Sequence, residues 1–357
     1  MPAITVVSRN VATTWLIPKQ TPIVGDSPGG LTFAITTILS LLFFALYLLK
    51  SIRYALLFFA LLGGTVSAQS SDFTKLKGMF DYDRHTSLDL REIGVENRDG
   101  IQVHDISYAS PKGGRVTAYL VVPPGKGKFA GVIFMHMRPG SRTNFLDEAL
   151  SYARMGAVSL LIDAPFSRAG ESKRDFDPTV THPEIDRDIY IQTVVDLRRG
   201  VDLLLSRRDI DRKRIGFVGH SFGAHTGVLL ASVEKRIKGY VIMAGAPSLT
   251  ELLRTSLVPG IVEVRNSLTK PQQENYFTTL ATVDPINYVA HVAPSALFFE
   301  FGKRDTYPTE QSAARYFQAA SEPKSVKWYD TGHALNDKAR RDRATWLEKQ
   351  IGLRKLN

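Results

Sequence analysis

The stretch GHSFG at 219–223 places Ser221 between two glycines. An apolar, strand-like run at 214–219 precedes the serine, and helix-compatible residues follow it. A turn from strand to helix brings backbone atoms so close together that Gly219 and Gly223 are required on steric grounds, and it lifts the serine hydroxyl above the sheet edge. The helix N-terminus then favours developing negative charge. The pattern predicts that Ser221 is a nucleophile.

A serine hydroxyl is a weak nucleophile and needs a base, which in turn needs an orienting acid. In this architecture the chain order is serine, acid, histidine. Asp305 follows one apolar run and His333 follows the next, so both are expected at the same sheet edge as Ser221. We therefore predict a triad of Ser221, Asp305 and His333. Other candidates are interpreted as structural, packed or capping residues: His220, His225, Asp163, Asp284 and Asp330.

Acyl transfer also requires two donors for the oxyanion of the tetrahedral intermediate. One is expected to be the amide of Phe222, directly after the nucleophile. The second is expected from the loop at 136–140, which has the sequence HMRPG. The amide of Arg138 is the favoured donor and that of Met137 the alternative, because Pro139 has no N–H.

The surrounding sequence alternates apolar runs with amphipathic stretches. Near-continuous apolar runs are typical of strands buried on both faces of a parallel sheet. Strands are predicted at 101–110, 115–123, 129–137, 157–165, 214–221, 237–245, 295–302 and 325–332, the first two as an antiparallel hairpin. Helices are predicted at 145–156, 183–208, 222–233, 310–320 and 334–352. This alternation predicts an α/β fold, a mostly parallel doubly wound sheet of about eight strands with helices on both faces. Residues 246–290, after the sixth predicted strand, form an insertion that is a candidate lid.

Composition excludes several classes of function. The 357 residues include no cysteine, which rules out disulfides and a thiolate nucleophile. The formal net charge is +10, yet no long basic run or basic-aromatic patch indicates nucleic-acid binding. No dinucleotide-binding, Walker or HExxH motif is present, so no cofactor, nucleotide or metal requirement is inferred.

The first 68 residues differ from the rest of the chain. Residues 50–68 have a basic start, a short apolar core and small residues before Gln69, the three parts of a secretory signal. We predict export to the periplasm or the extracellular space, with a mature catalytic domain at 69–357. The alternative is a membrane anchor formed by 31–62, since 31–49 is long and apolar enough to span a bilayer. A translation start near 47–50 is a further alternative, under which residues 1–49 are not translated.

Taken together, these motifs resemble the α/β-hydrolase superfamily, and most closely its dienelactone-hydrolase-type and prolyl-oligopeptidase-type catalytic domains. The matching segments are GHSFG at 219–223, GKRDTYP at 302–308, TGHAL at 331–335, DIDRKRIGFVG at 209–219 and DP at 284–285. The resemblance covers about residues 100–353. Two departures stand out: Met137 occupies a position that is commonly glycine in the family, and dienelactone hydrolases proper use a cysteine nucleophile.

The resemblance implies a serine hydrolase that cleaves carboxylic esters through an acyl-enzyme. Too few residues precede the domain to build the β-propeller of prolyl-oligopeptidase-type peptidases, which favours a small-molecule ester as substrate. The alternatives are a peptidase or amidase, an acyltransferase, or a binding module without catalysis on the same fold. Contact with a membrane is expected only through an uncleaved N-terminal segment, and the oligomeric state stays open.

Overall fold

The computed structural model describes residues 73–353, so the predicted signal at 50–68 and anchor at 31–62 lie outside the described residues. One nine-stranded sheet organises this part of the chain. Its strands in chain order are β1 (Arg91–Arg98), β2 (Ile101–Ala109), β3 (Arg115–Val122), β4 (Phe129–Met135), β5 (Ala157–Ile162), β6 (Ile210–His220), β7 (Gly239–Met243), β8 (Ala296–Gly302) and β9 (Lys324–Tyr329).

The spatial order of the strands is β1-β2-β3-β5-β4-β6-β7-β8-β9. The first three strands and β5 pair antiparallel, whereas β5, β4, β6, β7, β8 and β9 are parallel to one another. Every residue of β4, β5, β7 and β8 is buried, as the unbroken apolar runs predict for central strands covered on both faces. The carboxyl ends of the parallel strands therefore meet at one sheet edge.

Helices cover both faces of the sheet. They are α1 (Leu146–Ala153), α2 (Pro183–Ser206), α3 (Phe222–Val233), α4 (Leu249–Thr255), α5 (Pro259–Ser267), α6 (Lys270–Leu280), α7 (Glu310–Ala319) and α8 (Asp337–Ile351). The core has two parts, because neighbouring side chains of a strand point to opposite faces. Phe217 of β6 packs in the part that contains Leu229 of α3, and Val218 packs in the part that contains Leu347 of α8. The predicted doubly wound α/β fold is confirmed.

One strand and one helical segment of the structure were not predicted from the sequence. The first predicted element begins at residue 101, but residues 73–98 already contain a helical segment at 73–78 and the edge strand β1. The sheet therefore has nine strands instead of about eight, and the insertion follows β7, the seventh strand. Apart from Arg98, every residue of β1 is exposed, including the apolar Ile93 and Val95. A strand that buries neither face leaves no alternation of polar and apolar residues to detect.

The insertion at 246–290 is helical, consisting of α4, α5, α6 and three short 3-10 turns. Buried Asp284 anchors its beginning. The carboxylate accepts hydrogen bonds from Ser248 Oγ at 2.5 Å, Thr250 Oγ1 at 2.8 Å and the Leu249 amide at 2.6 Å. The first turn of α4 is thereby fixed to the chain that returns toward β8. None of the helices between residues 73 and 353 combines the length and the apolar character needed to cross a membrane.

Candidate active site

Ser221 occupies the junction between β6 and α3 in a left-handed backbone conformation, with φ 55° and ψ −109°. The flanking glycines make this turn sterically feasible. A Cβ on Gly219 would lie 2.2 Å from the Gly223 carbonyl oxygen, and a Cβ on Gly223 would lie 2.0 Å from that of Met135. Both obstacles are backbone atoms, which cannot rotate away. The sequence thus forces a sharp turn that presents Ser221 at the carboxyl edge of the sheet.

Asp305 and His333 are in direct contact at the same edge. The Asp305 carboxylate is fully buried, and its Oδ2 lies 2.8 Å from His333 Nδ1. Its Oδ1 accepts the Tyr307 amide at 2.9 Å, which fixes the plane of the carboxylate. The two loops are also joined through their backbones, since the Arg304 amide donates to the Thr331 carbonyl at 3.0 Å. Asp305 can therefore hold the orientation and the tautomer of the His333 ring.

His220, next to the serine, supports the backbone of His333. Its Nε2–H donates to the His333 carbonyl at 2.8 Å. Burial lowers the pKa of His220 to about 4, so the ring is neutral at physiological pH. These contacts agree with the structural role that the sequence predicts for His220.

The loop after β4 is held by the buried His136. Its Nδ1 lies 2.7 Å from the Met137 carbonyl oxygen and its Nε2 lies 3.1 Å from the Ala164 amide. These two partners fix the tautomer, with Nδ1 as donor and Nε2 as acceptor. Burial also lowers the pKa of His136, which keeps the ring neutral. The C=O and N–H of a trans peptide point in opposite directions, so the hydrogen bond to the Met137 carbonyl also sets the direction of the Arg138 N–H.

The remaining candidates have partners other than Asp305 and His333. Buried His225 donates from Nε2 to the Val283 carbonyl at 3.0 Å, and Asp330 pairs with exposed Arg304. Asp163 accepts the Arg142 amide at 2.8 Å and the Thr117 hydroxyl at 2.6 Å.

Among the cavities of the described chain, two at this edge share the wall residue Leu252 of α4. The larger, about 450 Å³, includes Asp305 and Tyr307 in its wall. The smaller, about 300 Å³, includes Arg138 in its wall and lies between α2 and the insertion. Its polar lining consists of Arg138 and Asp177 together with Asp186, Tyr190 and Tyr276, the last three of which were not singled out from the sequence. Their helical spacing is that of ordinary core positions, so no sequence signal distinguishes them.

A family model described as acetyl xylan esterase matches residues 72–350, well over half of the chain. Solved structures of similar fold include the acetyl xylan esterase from Paenibacillus sp. R4, which is 19% identical with a TM-score of 0.67. Acetyl xylan esterase 1 from Thermoanaerobacterium sp. JW/SL YS485 is 17% identical with a TM-score of 0.68. Each match covers 78% of this chain and 93% of the other.

An esterase from Pyrococcus furiosus is 18% identical over 72% of this chain and 98% of its own length, with a TM-score of 0.52. No curated protein matches the sequence significantly. The structural likenesses confirm the α/β-hydrolase fold, and the family match identifies the chemistry. The protein is a carboxylester hydrolase, and the chain belongs to the acetyl xylan esterase family.

Proposed function

We propose that the protein is a serine esterase that removes acetyl groups from a carbohydrate, with Ser221 as nucleophile, His333 as base and Asp305 as orienting acid. The observation that carries the proposal is the contact between His333 Nδ1 and the buried Asp305 carboxylate, 2.8 Å long, at the edge where Ser221 turns into α3. The acetyl specificity and the carbohydrate are proposed from the family to which the chain belongs.

In the proposed reaction, His333 Nδ1–H donates to Asp305, which leaves Nε2 to accept the Ser221 proton. The serine oxygen attacks the acyl carbon, and the carbonyl oxygen becomes an oxyanion. The amides of Phe222 and Arg138 stabilise that charge, with the Met137 amide as the alternative to Arg138. The intermediate then collapses, and the bond between the acyl carbon and the sugar oxygen breaks as His333 protonates that oxygen. Water, deprotonated by His333, attacks the acyl-enzyme, and acetate leaves as His333 returns the proton to Ser221.

The experiment compares labelling of the 69–357 protein by a fluorophosphonate probe with that of its Ser221→Ala variant. Labelling of the parent alone would support an activated Ser221. Folded parent protein that stays unlabelled, or a variant that labels equally, would contradict the assignment. A panel of 4-nitrophenyl acetate, the matching anilide and acetylated xylo-oligosaccharides then separates esterase from amidase activity. Transfer of the acetyl group to added alcohols would identify an acyltransferase.

Export is part of the proposal and is supported by the sequence alone. The basic start, apolar core and small residues of 50–68 favour cleavage after Ala68. N-terminal sequencing of the protein recovered outside the cytoplasm tests this directly. A first residue of Gln69 would support cleavage, whereas retention of 31–62 would favour the membrane-anchor alternative.

A further inference from the structure

Three buried polar side chains line the smaller cavity with hydrogen-bonding capacity to spare. Tyr190 and Tyr276 are 7% and 9% exposed, and neither hydroxyl has a hydrogen-bond partner among residues 73–353. Asp186 is 7% exposed. Its Oδ1 accepts the Asp177 amide at 2.9 Å, while its Oδ2 has no partner within the same part of the chain. These oxygens are therefore free to hydrogen-bond a polar ligand that enters the cavity.

The smaller cavity adjoins the proposed oxyanion site. The Tyr190 ring packs 5.0 Å from the ring of Phe222, which directly follows Ser221 in the chain. Arg138, in the loop held by His136, belongs to the cavity wall as well. A group seated there would therefore lie next to the reacting ester, on the side of the oxyanion donors.

The lining suits a molecule with apolar faces and hydroxylated edges. The aromatic rings of Phe176, Tyr190 and Tyr276 offer flat apolar surface, while the carboxylate accepts hydroxyl protons and the phenols both donate and accept. Arg138 stacks its guanidinium 4.1 Å from the centre of the Phe176 ring, and the N–H groups in its plane can donate to ligand oxygens. A cavity of about 300 Å³ lies at the lower end of small-molecule sites.

The larger cavity has one aromatic residue in its wall, Tyr307, and its two carboxylates are engaged, Asp305 by His333 and Glu251 by Arg315. Its hydroxyl groups are partly committed to helix capping, since Ser248 accepts the Glu251 amide and Thr309 accepts the Ser312 amide. Much of the remaining lining is apolar, with Leu257 and Val258 among its residues. The smaller cavity is therefore the better match for a sugar.

We propose that the smaller cavity binds the sugar ring that bears the acetyl ester, with Asp186 and Tyr276 as specificity-determining residues that hydrogen-bond its free hydroxyls. This inference rests on the proposed esterase function and deepens it, because it assigns the alcohol side of the substrate to named residues.

The test compares two substrates, monoacetylated xylobiose and 4-nitrophenyl acetate, in the Tyr276→Phe and Asp186→Asn variants. Loss of one neutral hydrogen bond of about 1 kcal/mol corresponds to about fivefold in affinity, so Tyr276→Phe should raise KM for the sugar ester by about fivefold. Asp186→Asn should raise it about tenfold or more, since bonds to a charged group are stronger. The kcat/KM for 4-nitrophenyl acetate should change less than twofold.

Tyr316→Phe is a matched control. It removes another buried phenol oxygen without a partner, but Tyr316 does not belong to the wall of this cavity. The control should leave the kinetics of both substrates unchanged. Thermal unfolding of each variant verifies that the fold is intact.

The cavity assignment would be overturned if the variants lost kcat/KM equally on both substrates. It would also be overturned if neither variant lost kcat/KM on either substrate. If the parent protein hydrolyses neither ester, the proposed function fails, and binding decides the cavity assignment separately. Xylobiose is then titrated into the Ser221→Ala protein with and without Tyr276→Phe, by calorimetry. Binding weakened by the second substitution would support the sugar site, whereas absent or unchanged binding would overturn it.

Discussion

His136 offers a direct test of how the oxyanion loop is positioned. The His136→Phe variant keeps an aromatic ring of similar size in the buried site but removes both ring nitrogens. The Met137 carbonyl then loses its donor at 2.7 Å, and the Ala164 amide loses its acceptor at 3.1 Å. Nothing in the contact between Asp305 and His333 changes directly, so the proposed oxyanion donor is the part of the proposed catalytic machinery that the substitution affects.

The expected magnitude follows from what remains in place. Complete removal of one oxyanion donor costs about 100-fold to 1,000-fold in kcat. His136→Phe leaves the Arg138 N–H present but free to turn, so we expect a fall of about 10-fold to 100-fold. The Ala164 N–H is left buried without an acceptor, which should lower the free energy of unfolding by about 1–3 kcal/mol.

The assay is kcat for 4-nitrophenyl acetate together with unfolding in urea. His225→Phe is the matched control, because it also removes a buried neutral imidazole and one hydrogen bond, to the Val283 carbonyl. It should lose stability while keeping kcat within about threefold. A His136→Phe variant that is less stable but retains full kcat would refute the view that His136 orients the oxyanion donor.

Three further predictions concern the turn at Ser221 and the core. Gly223→Ala should abolish activity or folding, because its Cβ would lie 2.0 Å from the Met135 carbonyl oxygen; active, soluble protein would contradict this. Burial raises the pKa of Glu300 from its ordinary value of 4.5 to about 8. Between these pH values the folded protein retains a proton that the unfolded chain releases, so the free energy of unfolding falls as the pH rises from 4.5 to 8. The fall in the free energy of unfolding from pH 5 to pH 8, measured in urea, should therefore be smaller in Glu300→Gln than in the parent by at least about 1 kcal/mol. An identical fall in both proteins would refute the pKa shift. Tyr316→Phe should raise the free energy of unfolding by about 1 kcal/mol, because its buried hydroxyl has no partner in the described chain; a decrease would indicate a hidden one.

The buried parallel strands and the approach of Asp305 to His333 could be predicted from sequence because both follow from local patterns. Unbroken apolar runs identify buried parallel strands, and polar residues just after two such runs must meet at one sheet edge. The contact of 2.8 Å between Asp305 and His333 agrees with that expectation.

Features that depend on packing across distant segments were not predictable in the same way. β1 has no buried face, so its sequence carries no strand periodicity. His136 matters because its ring contacts backbone atoms of its own loop and of the segment after β5. Tyr276, on the insertion, and Asp186, on α2, form one cavity only after the two helices pack together.

The size of the Leu252 side chain bears on the range of esters that the two cavities can hold. Its side chain belongs to the walls of both cavities, so its size divides the available space between them. We expect a smaller residue at this position to connect the two cavities into one wider cleft for bulkier esters. A larger residue would keep the two cavities apart. Since Leu252 lies on a helix of the insertion, its replacement would change the cavities while the sheet and the proposed catalytic residues stay in place.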